Sequence, residues 1–280
     1  TLGSPIGFLI KNNDAKSKDY DSLKDVFRPS HADFTYENKY GLRDYRGGGR
    51  SSARETANWV VAGAIASQIL STKGVHIYSY VSSIGDIDID LSYKKLDLET
   101  IYNNDVRCPS KKITDEMKKL IQNCKNDGDS VGGRISTVIK GVPLGLGEPV
   151  FDKLQSAISG AIMSINACKG IEFGTGFESS RNKGSEENDL FVLKSNTIRT
   201  ETNNSGGIQG GISNGEDIFF RAAFKPVSTI LKKQSTISNK GQKVSINPSG
   251  RHDPCVVPRA VPIVDSLTAM IILDYYLLNK

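Results

Sequence analysis

Val75-His76-Ile77-Tyr78-Ser79-Tyr80-Val81 alternates side chains at a period of two, and Ile87-Asp88-Ile89-Asp90-Leu91 resumes the alternation beyond Gly85. That period turns one face of each piece to a core and the other to water, so 75–91 reads as two strands broken at the glycine. His76 belongs to this pattern and reads as a sheet residue rather than a catalyst. Upstream, Ala57, Val60, Val61, Ala64, Ile65 and Ile69 recur at helical spacing, with Ser51 or Ser52 placed to cap the helix. Downstream, 114–126 reads as a helix closed by Asp127-Gly128, 131–141 as a strand, 151–167 as a helix, and 170–173 and 218–224 as strands. A last helix is expected over 261–278 after Pro262, and the apolar run 6–10 reads as a further strand. This order of elements predicts a mixed α/β or α+β architecture with substantial sheet.

The 280 residues, 38% hydrophobic and 24% charged, can bury a large core as one domain or two closely packed ones. A net charge of +5 favours anionic partners, but the lysines and arginines are spread along the chain. With neither an aromatic-and-basic RNA signature nor zinc-finger spacing, a small anionic substrate is the more economical reading than nucleic acid. Cys108, Cys124, Cys168 and Cys255 lie far apart, which argues against a metal site or a disulfide framework and for a reducing compartment. No run of eighteen apolar residues and no signal-peptide pattern is present, so the expectation is a cytoplasmic protein without a membrane span.

Four stretches carry candidate chemistry. Tyr45-Arg46-Gly47-Gly48-Gly49-Arg50-Ser51-Ser52-Ala53-Arg54-Glu55-Thr56 places glycines and arginines ahead of a helix N-terminus, which reads as an anion cradle or as a flexible loop with solvated arginines. Around Pro29, Arg28, His31 and Asp33 fall close together. Lys225-Pro226-Val227-Ser228-Thr229 sets an ammonium near two hydroxyls, a phosphate site of low specificity. Arg251-His252-Asp253 could support proton transfer. Residues 203–215, dense in Gly, Asn and Ser, suit either a ligand-touching loop or a tight turn. Neither Gly-rich segment at 143–149 or 174–179 matches the dinucleotide fingerprint.

Together, Phe27-Arg-Pro-Ser-His-Ala-Asp33, Asp44 to Thr56, Gly206 to Gly215 and Arg251-His-Asp-Pro-Cys-Val256 resemble the chorismate synthase family in content, order and separation. The resemblance runs from Ser4 to the C-terminal helix and implies an α+β, β-α-β sandwich fold in a single domain spanning 1–280. It implies a shikimate-pathway lyase that eliminates phosphate from 5-enolpyruvylshikimate 3-phosphate, with reduced FMN as cofactor and a homotetramer as the typical assembly. By the same resemblance Arg28, Arg54 and Arg251 contact substrate, His31 lies beside the flavin, and Asp253 helps it take the substrate proton. Lys225 and Thr229 match positions that hold the FMN phosphate, and Arg251, Ser52, Asn166 and Ala167 match flavin-contacting positions. Whether the flavin is reduced in place, with NADP, or arrives reduced is left open. The family writes Gly where this chain has Ser30. Its members also begin with a Gly-Glu-Ser-His-Gly type segment not present here, so an alternative is a flavin- or anion-binding fragment, inactive by itself.

Overall fold

A computed structural model describes residues 2–13, 21, 23–46, 52–247 and 253–279. In chain order the elements are α1 (Asp33–Tyr40), α2 (Thr56–Ser71), β1 (His76–Ile84), β2 (Ile87–Asp88), α3 (Lys111–Asn126), β3 (Gly133–Lys140), α4 (Leu154–Met163) and β4 (Cys168–Phe173). There follow α5 (Gly184–Glu187), β5 (Phe191–Lys194), β6 (Thr197–Thr200), β7 (Ile208–Gln209), β8 (Ile212–Ser213), β9 (Ile218–Phe224), β10 (Gln234–Ile237), β11 (Lys243–Ile246) and α6 (Val257–Leu278).

The organising unit is an antiparallel sheet of order β2-β1-β3-β9-β4. Its register aligns Ile84 with Gly133, Gly133 with Phe224, and Phe224 with Cys168, so four strand ends are level. The segments just beyond that end, 131–132, 166–167 and 225–229, therefore emerge side by side. On one face, α2 and α6 pack together and α6 lies against β1 and β3, with α4 between α6 and β4. The tightest approach is at Gly63, where a Cβ would stand 2.2 Å from the Cβ of Ser266, so only a glycine lets the two helices meet there. Val81, Ile84, Ile135, Val138, Ile139, Ile218, Phe220, Val261, Val264 and Ile272 fill the space between sheet and helices.

The helix at 56–71 forms as expected, but its apolar stripe is not its buried face. Gly63, Ala66 and Leu70 point inward, whereas Ile65 and Ile69 are exposed. Close approach of α6 at Ser266 demands a glycine at 63, and that sets which face of the helix turns inward. The helix expected at 114–126 starts earlier, at Lys111, and the one expected at 151–167 is confined to 154–163. Residues 6–10 form no strand, and Ile6, Phe8, Leu9 and Ile10 are exposed. Among the described residues no backbone pairs with them, and an apolar run without a ladder partner has no reason to hold β geometry.

α6 also begins earlier than expected and takes both Pro258 and Pro262 inside its bounds. A proline at 262 has no N–H for the carbonyl four residues earlier. That carbonyl, Pro258 O, instead accepts Arg107 Nη1. By length and composition α6 could cross a membrane, with a mean hydropathy of 1.6 over an 18-residue window, although Arg259, Asp265 and Asp274 break its apolar run. In this fold it is the core helix, with nine of its residues buried.

Candidate functional site

The chain enters the site through an isolated bridge between Val26 and Ser238, after which Pro29 and Ser30 make a turn and α1 starts at Asp33. Starting the helix at an aspartate puts its carboxylate near the positive end of the helix dipole. Asp33 is only 3% exposed. Its Oδ2 accepts the Arg28 backbone N–H at 3.1 Å and Arg28 Nε at 2.8 Å, while Oδ1 accepts Arg28 Nη2 at 2.7 Å. Arg43 Nη1 approaches Oδ1 at 3.0 Å, and His31 Nδ1 lies 3.1 Å from the same oxygen. Burial alone would raise the carboxyl pKa, but hydrogen bonds and charge from Arg28 and His31 outweigh it and hold the group ionised well below the usual carboxylate range. Arg43 spans further, donating through Nη2 to the carbonyls of Leu23, Lys24 and Val26 and facing Glu37 at 3.5 Å.

The turn before His31 is held from across the molecule. Ser30 O accepts Lys225 Nζ and Ser228 Oγ, each at 2.9 Å, and Lys225 Nζ also reaches Ser228 Oγ at 2.9 Å. Lys225 follows the last residue of β9, and its backbone N–H donates to Ala167 O at 2.9 Å. Ser130 Oγ donates to Val227 O, and Val131 N to Pro254 O, each at 2.8 Å, which ties the Asp253 segment to the same end of the sheet. The carboxylate of Asp253 pairs with Arg259 Nε at 2.7 Å in the first turn of α6.

The sheet thus brings together Arg28, His31, Ala167, Lys225 and, through the backbone, Asp253. Asn166 and Thr229 sit on the same segments, but Ser228 rather than Thr229 engages Lys225. Ser52 caps the 3₁₀ turn 53–55 that leads into α2, its Oγ accepting Arg54 N at 3.3 Å. The Arg54 side chain is exposed and makes no ion pair among the described residues. Arg251, and residues 47–51 of the glycine-rich cradle, lie outside the described residues. Among the described residues no hydrogen bond or ion pair joins His31 to Asp253. The glycine-dense stretch 203–215 resolves as a tight hairpin, with Gly210 and Gly211 at φ 63° and 99° between β7 and β8. Its entrance is fixed by Asp189, which accepts Thr202 Oγ1, Asn204 N, Ser205 N and Ser205 Oγ.

Arg43 was not singled out by the sequence, and Ser228 was read only as one of two hydroxyls beside Lys225. A usable signal for Arg43 existed in the carboxylates of Asp33 and Glu37, four apart on one helix face, which call for a nearby cation. Cavities of about 350 and 310 Å³ are lined by other residues, the first by Lys194, Arg199 and Glu216, the second by His76, Glu99 and Asp265.

Residues 1–277 match the family described as chorismate synthase. A chorismate synthase of Christiangramia forsetii is 58% identical over 280 residues, covering all of this chain and 78% of the relative. The chain belongs to the chorismate synthase family. Chorismate synthases of Azobacteroides pseudotrichonymphae and Bacteroides thetaiotaomicron are 57% and 54% identical over the same 280 residues, with 79% and 78% of those proteins covered. A crystal structure of chorismate synthase superposes with a TM-score of 0.75 at 30% identity, covering 89% of this chain and 70% of that one. The α+β fold expected from the motifs is therefore that of the family, and the chain is a flavin-dependent chorismate synthase-type lyase of the shikimate pathway.

The site's donors suit a flavin phosphate. Lys225 bonds only neutral acceptors, so its charge is uncompensated by any carboxylate among the described residues, and two hydroxyls stand beside it in the sequence.

Proposed function

We propose that the His31 turn, the Lys225–Thr229 segment and the Asp253 segment form one site for eliminating phosphate from 5-enolpyruvylshikimate 3-phosphate to give chorismate. The observation that carries this reading is the bond from Lys225 Nζ to Ser30 O, which anchors the proton-handling loop directly on the phosphate-site lysine, 195 residues away in sequence. Lys225 and Thr229 would hold reduced FMN at its phosphate, with Ser52, Asn166, Ala167 and Arg251 against the rest of it, and the bound flavin would supply the transient electron density that helps phosphate leave.

Arg54 and Arg251 bind the anionic groups of the substrate, each charge-assisted contact contributing about 1.5–3 kcal/mol. Arg28 is left with Nη1 for the substrate, together with the Nη2 N–H that faces His31, because Nε and the other Nη2 N–H are committed to Asp33. His31 holds a proton on the flavin side of the site, and Asp253, oriented by Arg259, handles the ring proton. A homotetramer fits the hairpin β5–β6, which exposes Phe191, Leu193 and Ile198. The biosynthetic role and the core position of α6 support a cytoplasmic location and no membrane or nucleic-acid partner.

The test is an anaerobic assay with substrate and reduced FMN, in which chorismate and phosphate are expected in equal amounts. His31→Ala is expected to lower turnover by about 10²–10⁴ with substrate affinity little changed. An unaltered rate removes His31 from the chemistry. Flavin binding without any phosphate release leaves only a binding module.

A further inference from the structure

Two groups meet at His31 Nδ1. Asp33 Oδ1 lies 3.1 Å away on the buried side, and Arg28 Nη2 lies 3.0 Å away on the exposed side. The two neighbours ask opposite things of the ring, since a carboxylate requires a proton on Nδ1 and a guanidinium requires a lone pair. The side chain of His31 is 35% exposed, so the rest of the ring is turned toward solvent.

We propose that Asp33 is a positioning residue that keeps a proton on His31 Nδ1, so that the proton His31 exchanges is the one on Nε2. This rests on His31 being the proton-handling group of the site. Exposure decides between the two neighbours. A bare Nδ1 lone pair facing the ionised Asp33 would be an unscreened repulsion in a buried setting, because that carboxylate is almost fully enclosed. An Arg28 N–H displaced from Nδ1 lies at the surface, where water satisfies and screens it.

The carboxylate cannot turn away to relieve the conflict. Arg28 grips it through the backbone N–H and two guanidinium nitrogens, and Arg43 faces Oδ1 at 3.0 Å. Charge around the ring is balanced, with Arg28 and Arg43 offset by Asp33 and by Glu37, which faces Arg43 at 3.5 Å. Lys225 acts one residue away, on the Ser30 carbonyl. With Nδ1–H held by Asp33 in both protonation states, His31 gains and loses its proton at Nε2 without rotating, and Asp33 stays ionised throughout.

Nitrogen-15 NMR of imidazole-labelled full chain, without cofactor, tests the assignment. His31 is identified among three histidines by the signal lost in His31→Gln. In the neutral form the expected pattern is a protonated Nδ1 and a bare Nε2. A wild-type ring protonated at Nε2 overturns the proposal, and that measurement needs no folded variant at position 33. Asp33→Leu removes the acceptor opposite Nδ1 and leaves Arg28 Nη2 as its polar neighbour, so the proton is expected to move to Nε2; an unmoved tautomer also overturns it. In turnover, Asp33→Asn is expected to lower kcat about 10²-fold or more with KM within about twofold. If the tautomer moves as expected while wild-type chain forms no chorismate, the failure lies with the proposed function and not with Asp33.

Discussion

Ser30 adopts φ 57°, in the left-handed region where a Cβ is disfavoured, directly before the site histidine. Its carbonyl must point to Lys225 and Ser228, and that orientation fixes the backbone. Ser30→Gly is therefore expected to relieve more strain than it adds in unfolded-chain entropy, raising stability by about 0.5–1 kcal/mol in urea unfolding. An unchanged or lower midpoint would show that the turn is not strained. At this scale Arg28, His31 and Asp33 were legible because six residues around a proline cannot separate far. Arg43 was not, since it reaches Asp33 only after α1 ends at Gly41, whose φ of 72° reverses the chain.

Among the elements, α6 tolerates Pro262 because another element supplies the missing donor. Arg107 donates to Pro258 O through its side chain, and its own carbonyl accepts Val81 N from the outer edge of β1. Arg107→Met keeps the length of the side chain but strands the Pro258 carbonyl, so a loss of about 1–3 kcal/mol is expected by thermal or urea unfolding. No loss would mean that water covers the carbonyl equally well. The helix could be read from its apolar run, but its true start could not, because a proline inside a helix ordinarily argues for an end. The strand read at 6–10 failed for the converse reason. Its composition was suitable, but strands form only against partners, and composition carries no partner.

Across the whole molecule, sheet and helix layer are joined by a carboxylate from α6. Asp265 Oδ1 accepts the backbone N–H of Ser79 on β1 at 2.8 Å, and Oδ2 accepts Tyr102 Oη–H at 2.9 Å. The residue keeps some surface at the rim of a cavity, but its carboxylate is surrounded by protein, and desolvation pushes its pKa up to about 6 against the help of Ser79 and Tyr102. The folded pKa therefore exceeds the unfolded one near 3.8, and the fold binds this proton more tightly. This contribution to stability is fully present below about pH 4 and is lost as pH rises to about 6, a change of roughly 2–3 kcal/mol. Asp265→Asn is expected to remove that decline from a stability–pH series; a persisting slope of the same size would assign it to other groups. From the sequence alone came the element types, the family and the residues of the His31 turn, because periodicity, proline and close spacing act over a few residues. Only the tertiary structure decided that Lys225 holds Ser30, that Asp33 gathers Arg28, Arg43 and His31, and that Gly63, Ala66 and Leu70 rather than Ile65 and Ile69 form the inward face of α2. Those outcomes depend on strand register and helix approach, which bring together residues far apart in the chain.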